Sequence, residues 1–501
     1  MTVPRRHNAT GVKPRKADAL FDFIYNSFEP EPKKILPAQN VNTLGEVPDS
    51  EWYTNRHFKR RMSLDELHHG AGEATPPRPP YSIVGAKLDG ISPGFRMKDS
   101  KGTLYFIKPD PLSAPELATA ADAVGARFFH ALGYHTPKNY IVHLDRKDLT
   151  VARDGTTDGA NGKQRPMTIH DVEKVLWKIP RTSDGKYRFV ASEAIDGTPL
   201  GPFRYEGTRS DDPNDVIPHE NRRELRGLHV FCAWLNHTDA KAGNSQDALV
   251  EENGVKYVRH YLIDFGAIFG SDSDMIKNAS FGHDYIIPNG KETLKRMFKF
   301  GFNPEPWETA ETPKIRGVGR FEASAFDPEK WVSNFPNRAF IHRLPDDEYW
   351  AARQVMNFTD REIRAIVETG QYSDSRAIDY ITHTLIERRN RIGRAYFAKV
   401  LPLEGFAIQE NRLQFRDLAV DAGFLPARQY DIVWSRFENS TNTHSPLSAT
   451  GAVLPAEIQA SPAGRYFAAR ITATGTPQKA VTVYFRTSSS VPALVGIDRS
   501  W

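Results

Sequence analysis

Cysteine is almost missing from this chain. Cys232 is the single thiol in 501 residues, so a disulfide framework and a cysteine-ligated metal are both excluded. Long apolar runs are missing as well. No window approaches the roughly 18 residues that a membrane-spanning helix needs. Nor is there an excess of one charge. The 66 Lys and Arg face 62 Asp and Glu, and both signs are interspersed, so neither a strong field nor a nucleic-acid stripe is expected. The sixteen histidines show no H-E-x-x-H or similar zinc spacing. G-x-S-x-G is absent too, and paired carboxylates such as Asp211 and Asp212 are too common to argue glycoside hydrolysis. No internal repeat recurs at a fixed period. The first sixteen residues are basic and polar, without the apolar core of a secretory leader. The expectation is a soluble chain, cytoplasmic as written, or exported if an upstream leader has been lost.

What is present suits a globular protein of several domains. Apolar residues make up 39% and charged residues 26% of the chain, enough for sizeable cores. Residues 1–80 form an expected irregular arm. A short helix is predicted over 18–28, and Trp52, Tyr53 and Phe58 are placed to dock the arm on the body. Strands are predicted over 81–88, 95–98 and 104–108. A helix follows from about Ser113 to Leu132, with Leu117, Ala121, Val124 and Phe128 on one stripe. Further strands are predicted at 139–143 and 187–192, with a polar Gly-rich loop and a helix over 169–178 between them. From Pro218 the pattern turns helical, with Leu225, Leu228, Phe231 and Leu235 facing inward. Asn253 and Gly254 mark a hairpin between strands over 248–252 and 255–263. After an irregular stretch over 270–340, helices are expected at 347–355, 360–368 and 376–397. Past 405 the composition turns to Thr, Ser, Val, Gly and Pro, and a separate all-β, sandwich-like domain is expected.

Between the helix after Pro218 and the hairpin lies the most informative segment. His237, Asp239, Lys241 and Asn244 stand in the order H-x-D-x-K-x-x-N. After the hairpin come Asp264, Phe265 and Gly266, at the end of an apolar strand. Phosphoryl transfer needs a cation on the phosphates, oxygen ligands for a metal, and a carboxylate at the acceptor hydroxyl. Asp239 is the candidate for the last role, with Lys241 steadying the transferred phosphate. Asn244 and Asp264 supply the hard oxygen donors that suit Mg²⁺. Asp-Phe-Gly alone would arise by chance in about one chain in sixteen of this length, so the two patterns in order carry the weight. Lys108, at the end of the third strand, is the candidate phosphate-binding lysine. Glu116 is either its ion-pair partner or the returning member of a capping box that starts at Ser113. Asp122, further along the same helix, is the fallback partner. Gly90 and Gly94 form either a phosphate-covering loop or an ordinary turn. Residues 190–193 occupy the position of a nucleotide-binding hinge. The polar stretch from Arg209 to Glu220 either lines the substrate side of the cleft or is a solvated loop and helix start.

These residues resemble the protein-kinase-like superfamily over about 81–400. The F-I-K-P context of Lys108 is most similar to atypical members, such as HipA-type bacterial kinases and phosphoinositide kinases. The resemblance implies an α+β, bilobal fold, with a β-rich N-lobe and hinge over 81–217 and a helical C-lobe over 218–404. The arm over 1–80 and the β-domain over 405–501 flank it. It also implies ATP, Mg²⁺ or Mn²⁺, and transfer to a hydroxyl on a protein, lipid or small molecule. The chain departs from ordinary protein kinases in three places. It has no full G-x-G-x-x-G loop, it has no A-P-E, and 20 residues separate Asn244 from Asp264.

Two functions are therefore weighed. One is an active phosphotransferase carried by Lys108, Asp239, Asn244 and Asp264. The other is a non-catalytic pseudokinase scaffold, suggested by the arm, the β-domain and the incomplete glycine loop.

Overall fold

The computed structural model describes residues 6–16, 26, 34–73, 75–87, 93–159, 163–286, 305–488 and 491–501. Apart from Asn26, the helix expected over 18–28 lies outside them, as does Gly90. The described residues form a mixed α/β structure with four sheets. None of their helices is long and apolar enough to cross a membrane.

The first sheet has seven strands: β1 (Tyr81–Lys87), β2 (Gly94–Lys98), β3 (Leu104–Pro109), β4 (Asn139–Leu144), β5 (Leu149–Asp158), β6 (Gln164–Pro166) and β7 (Tyr187–Glu193), ordered 4-7-3-2-1-5-6. Period-2 alternation sets its two faces. On β3, Tyr105 and Ile107 are buried in the sheet core, whereas Phe106 and Lys108 point the other way. The expected Gly-rich loop over the region of β5 is instead an added hairpin, and β5 pairs parallel with β1. Arg153, Asp154 and Gly155 break the alternation there, which hides the strand from periodicity.

Helix α1 (Leu64–His69) belongs to the arm and is closed by a Ser63–Glu66 capping box. Helix α2 (Leu117–Ala131) is buried on nearly every side, not on one stripe. Its run of Ala and Gly lets neighbours approach from the sheet and from the helical region at once. Helix α3 (Ile169–Leu176) covers the sheet. Helix α4 (Arg223–Leu235) begins five residues later than the expected start at Pro218, which opens only a short turn. Around it pack α5 (Pro345–Met356), α6 (Asp360–Glu368) and α7 (Ser375–Phe397), close to their expected bounds. Pro345 starts α5, and a Thr359–Glu362 capping box starts α6, a device that contributes about 1 kcal/mol.

Strands β8 (Thr198–Gly201), β9 (Ser245–Glu252) and β10 (Val255–Leu262) form the second sheet. Asn253 and Gly254 both take positive φ, 52° and 76°, as a type I′ hairpin turn requires. Past residue 400, the hairpin β11 (Leu403–Gln409) and β12 (Arg412–Asp417) shares one core with a five-stranded antiparallel sheet. That sheet contains β13 (Tyr430–Glu438), β14 (Thr443–Thr450), β15 (Tyr466–Ala473), β16 (Ala480–Arg486) and β17 (Ala493–Ser500). The arm braces the body. Trp52 stacks on His260 at 3.5 Å between ring centres, and the Tyr53 hydroxyl donates to Gln354 at 3.0 Å. Gly133 makes room for this: a Cβ there would sit 2.3 Å from the Tyr53 ring.

Candidate active site

Four stretches of the chain meet in one cavity of about 850 Å³. Its roof is Gly94, Arg96, Phe106 and Lys108, and its floor is Asp239, Lys241, Asn244 and Asp264. One wall is Thr156, Thr157, Asp158 and Gln164, and the opposite wall includes residues 272–275 and Phe335.

Strand alternation turns Lys108 into the cavity, where its Nζ lies 2.7 Å from Asp264 Oδ2. Asp264 lies two residues past the end of β10 and takes a left-handed φ of 62°, a conformation that Asp tolerates better than most residues. This turn aims the carboxylate at β3. Burial alone would raise the Asp264 pKa. The charge and hydrogen bond of Lys108, supported by His237 and Lys241, instead hold it below the usual carboxylate range. Burial opposes the Lys108 charge too, yet Asp264, Asp122 and Asp239 keep its pKa raised. Both groups are therefore charged at neutral pH.

The next residue fixes this turn in place. Phe265 is fully buried and stacks on Phe129 at 5.0 Å. Gly125 admits it: a Cβ there would meet Phe265 Cβ at 2.7 Å. The Phe265 amide donates to Asp122 Oδ1 at 3.2 Å, and Asn139 Nδ2 donates to the same oxygen at 2.8 Å. Burial and the nearby Asp264 charge push Asp122 up to about 6, against the pull of Lys108.

The second motif forms the loop that leaves α4. Asn236 ends the helix in a left-handed conformation. His237 is buried, its Nδ1 is 3.4 Å from the Ala267 carbonyl, and burial with the nearby Lys277 charge pushes it down to about 4. A neutral, buried ring anchors the loop and offers no exposed base. Asp239 Oδ1 is 2.8 Å from Lys241 Nζ. Asn244 Nδ2 donates to the Asp239 carbonyl and to its Oδ2, at 2.8 and 2.9 Å. Both amide donors are thus turned inward, leaving Asn244 Oδ1 uncommitted on a residue that lines the cavity. The Asn244 carbonyl accepts from Ile263 N at 3.0 Å, tying the loop to the strand that delivers Asp264.

Among the described residues no cluster of three or more His, Cys, Asp or Glu is arranged to hold a metal. Asp264 and Asn244 could give a hard cation two oxygens. Mg²⁺ commonly takes one or two protein carboxylates and fills its remaining positions with water and phosphate, so the donor set fits that ion.

Several expectations are corrected. Glu116 is remote from Lys108. Its carboxylate pairs with Arg316 at 2.7 Å and accepts from Ser373 N and Oγ at 2.8 and 3.0 Å. The capping box from Ser113 does not form either, because α2 starts at Leu117, beyond it. Asp110 serves the helix start, accepting from Thr119 N and Oγ1 at 2.8 and 2.7 Å. The fallback, Asp122, makes no ion pair with Lys108 either; it holds the Phe265 amide from behind, and its charge helps keep the Lys108 pKa raised. Gly94 lines the cavity, and its lack of a side chain serves close strand packing: a Cβ would meet the Ile107 carbonyl at 2.5 Å. Residues 190–193 belong to β7 and line no part of the cavity. The stretch from Arg209 to Glu220 is also absent from it. Arg209, Asp215 and His219 are buried behind the arm, where Arg209 pairs with Asp247 and His219 Nε2 lies 2.7 Å from Asp215 Oδ2.

Sequence reasoning missed the segment after Gly266. Lys277 is buried, and its Nζ donates to the carbonyls of Asn236 and Ala267 at 2.6 and 2.9 Å. It thus ties the end of α4 to the turn after Phe265. Burial pushes Lys277 down to about 7, although Asp272 and Asp239 oppose this. Asp272 lines the cavity and is pushed up to about 6 by burial, with Asp239 and Asp274 adding to the effect. No periodicity marks this irregular segment.

This chain matches no family model and no curated protein. Among solved structures, the crystal structure of a Helicobacter pylori proinflammatory kinase, CtkA, is similar to it at 8% identity, with a TM-score of 0.31, over 62% of this chain and 93% of that chain. A likeness that distant leaves the functional reading to the cleft itself.

Proposed function

We propose that this chain is an ATP-dependent phosphotransferase of protein-kinase-like, bilobal organisation. Its N-lobe would span 81–217 and its C-lobe 218–404, between an arm over 1–80 and a sandwich-like β-domain over 405–501. The observation that carries this reading is the 2.7 Å ion pair of Lys108 and Asp264, in the same cavity as Asp239 and Asn244. Lys108 would engage the phosphates of ATP. Asp239 would orient the acceptor hydroxyl and receive its proton. Lys241, 2.8 Å from Asp239, would offset charge on the transferred group. Asp264 and Asn244 would hold Mg²⁺ or Mn²⁺, which, when bound, neutralises phosphate charge. Asp122 would position the Asp264 turn through the Phe265 amide. The acceptor class is a hydroxyl on a protein, lipid or small molecule.

The test is conversion of ATP to ADP by purified protein with Mg²⁺ or Mn²⁺, with and without candidate acceptors. Metal-dependent turnover that Asp239→Asn abolishes is expected. Nucleotide binding without turnover would replace this reading with a pseudokinase scaffold. Full activity in Asp239→Asn would remove the assigned role of that carboxylate.

A further inference from the structure

The roof of the cavity holds a cation that the roles above leave unused. Arg96 lines the cavity from β2, on the same sheet face as Lys108. The other cations on its lining, Lys108 and Lys241, are 2.7 and 2.8 Å from Asp264 and Asp239. Arg96 alone of the three has no hydrogen-bond or ion-pair partner among the described residues.

Its guanidinium is nevertheless seated. Arg96 stands directly across from Gly85 on β1, where a register shift interrupts the pairing. A Cβ on Gly85 would lie 2.5 Å from Arg96 Nη2, 2.7 Å from Nε and 3.0 Å from Cζ. The charged head therefore folds back over the bare backbone of Gly85, in space that any side chain would fill. Gly85 in turn pairs with Thr156 of β5, and Thr156 and Thr157 line the adjoining wall. Asp239 and Asp264 on the floor, with Asp272 and Asp274 on the wall, repel an anion unless cations face them from above. Guanidinium matches phosphate oxygens with paired, charge-assisted hydrogen bonds.

We propose that Arg96, seated over Gly85, is a phosphate-binding, specificity-determining residue of this cavity and grips the polyphosphate of the nucleotide from the roof. Its role as a nucleotide contact rests on the phosphotransferase reading. Its affinity for polyphosphate does not, and the two are separated by probe. Inorganic tripolyphosphate, ATP with Mg²⁺, and adenosine are titrated into the full chain, as wild type, Arg96→Gln and Arg96→Lys.

The expected result is that Arg96→Gln weakens tripolyphosphate and ATP by about ten- to a hundredfold. Adenosine affinity and the unliganded melting temperature stay unchanged, and Arg96→Lys falls between. Unchanged polyphosphate affinity in Arg96→Gln, with the wild type binding, would overturn the assignment and leave the phosphotransferase reading standing. Arg96-dependent tripolyphosphate binding without ATP binding or turnover would keep the phosphate site and overturn the phosphotransferase. A wild type that binds neither probe would overturn both.

Discussion

Two polar centres in this molecule are both built on pairs of aspartates and differ in what they leave uncommitted. Behind the arm, Asp247 pairs with Arg209 at 2.9 Å and with His260 at 2.7 Å, and Asp215 pairs with His219 at 2.7 Å. Trp52 lies flat on His260. In the cleft, Lys108 faces Asp264, and Asn244 braces Asp239. The Asp247 and His260 side chains are each 1% exposed, whereas Lys108 and Asp264 are 39% and 35% exposed. In the first centre each carboxylate is met by a guanidinium or an imidazole nitrogen and is sealed from water. In the second, charged groups keep one side open to a cavity. Sealed carboxylates with close partners fix a fold; charges held rigidly but left open are available to a ligand.

The sharpest way to break this comparison is Asp264→Ala. Turnover is expected to fall by about 10³-fold, while stability to urea falls by only about 1–2 kcal/mol, the cost of holding Ala at the left-handed φ of 62°. ADP release and a urea titration check both halves. Asp247→Ala should do the reverse. It removes the buried partner that Arg209 and His260 share, leaving Arg209 the partly exposed Asp211, and costs about 3–5 kcal/mol of stability, with turnover per folded molecule unchanged.

Asp122 lies between the two types, buried behind the cleft and bonded to the Phe265 amide beside Asp264. Its rise from 3.8 to about 6 corresponds to on the order of 3 kcal/mol. The native chain binds this proton more tightly than the unfolded chain does. The penalty is therefore absent below pH 3.8, grows as pH rises, and is complete above about 6. Asp122→Asn is expected to flatten the stability profile between those values. It should also raise stability at pH 7 by about 1–3 kcal/mol, as urea midpoints across pH would show.

The smallest effect is expected at Glu116. Glu116→Gln loses only its pair with Arg316, whose side chain is 46% exposed. Such a pair contributes about 0–1 kcal/mol. Turnover should stay within about twofold of wild type, because the residue is outside the cavity. A large loss of turnover would return Glu116 to the centre.

The contiguous parts of the centre were legible in the sequence. Asp239, Lys241 and Asn244 share one short loop, and Asp264 follows a hairpin that Asn253 and Gly254 announce. Helices α5, α6 and α7 were legible for a similar reason, since their apolar period and starting residues act locally. What was hidden depended on three-dimensional phase. Placing Glu116 away from Lys108 required knowing that α2 begins at Leu117. The added strand β5 carries charge and glycine in mid-run, so its pairing with β1 left no periodic trace. The Arg209 to Glu220 stretch looks solvated because sequence does not distinguish a charge in water from a charge buried with a partner. Lys277 and Arg96 stand in no local pattern that sets them apart; their surroundings do.

The most direct measurement is a thermal-shift titration of the full chain with ATP and Mg²⁺, beside Lys108→Ala. A ligand that binds only the native state adds about 2.7 kcal/mol at a hundredfold excess over its Kd. The open centre predicts that millimolar ATP raises the melting temperature of the wild type and that Lys108→Ala loses most of the rise. No rise in the wild type, or an equal rise in Lys108→Ala, would contradict it.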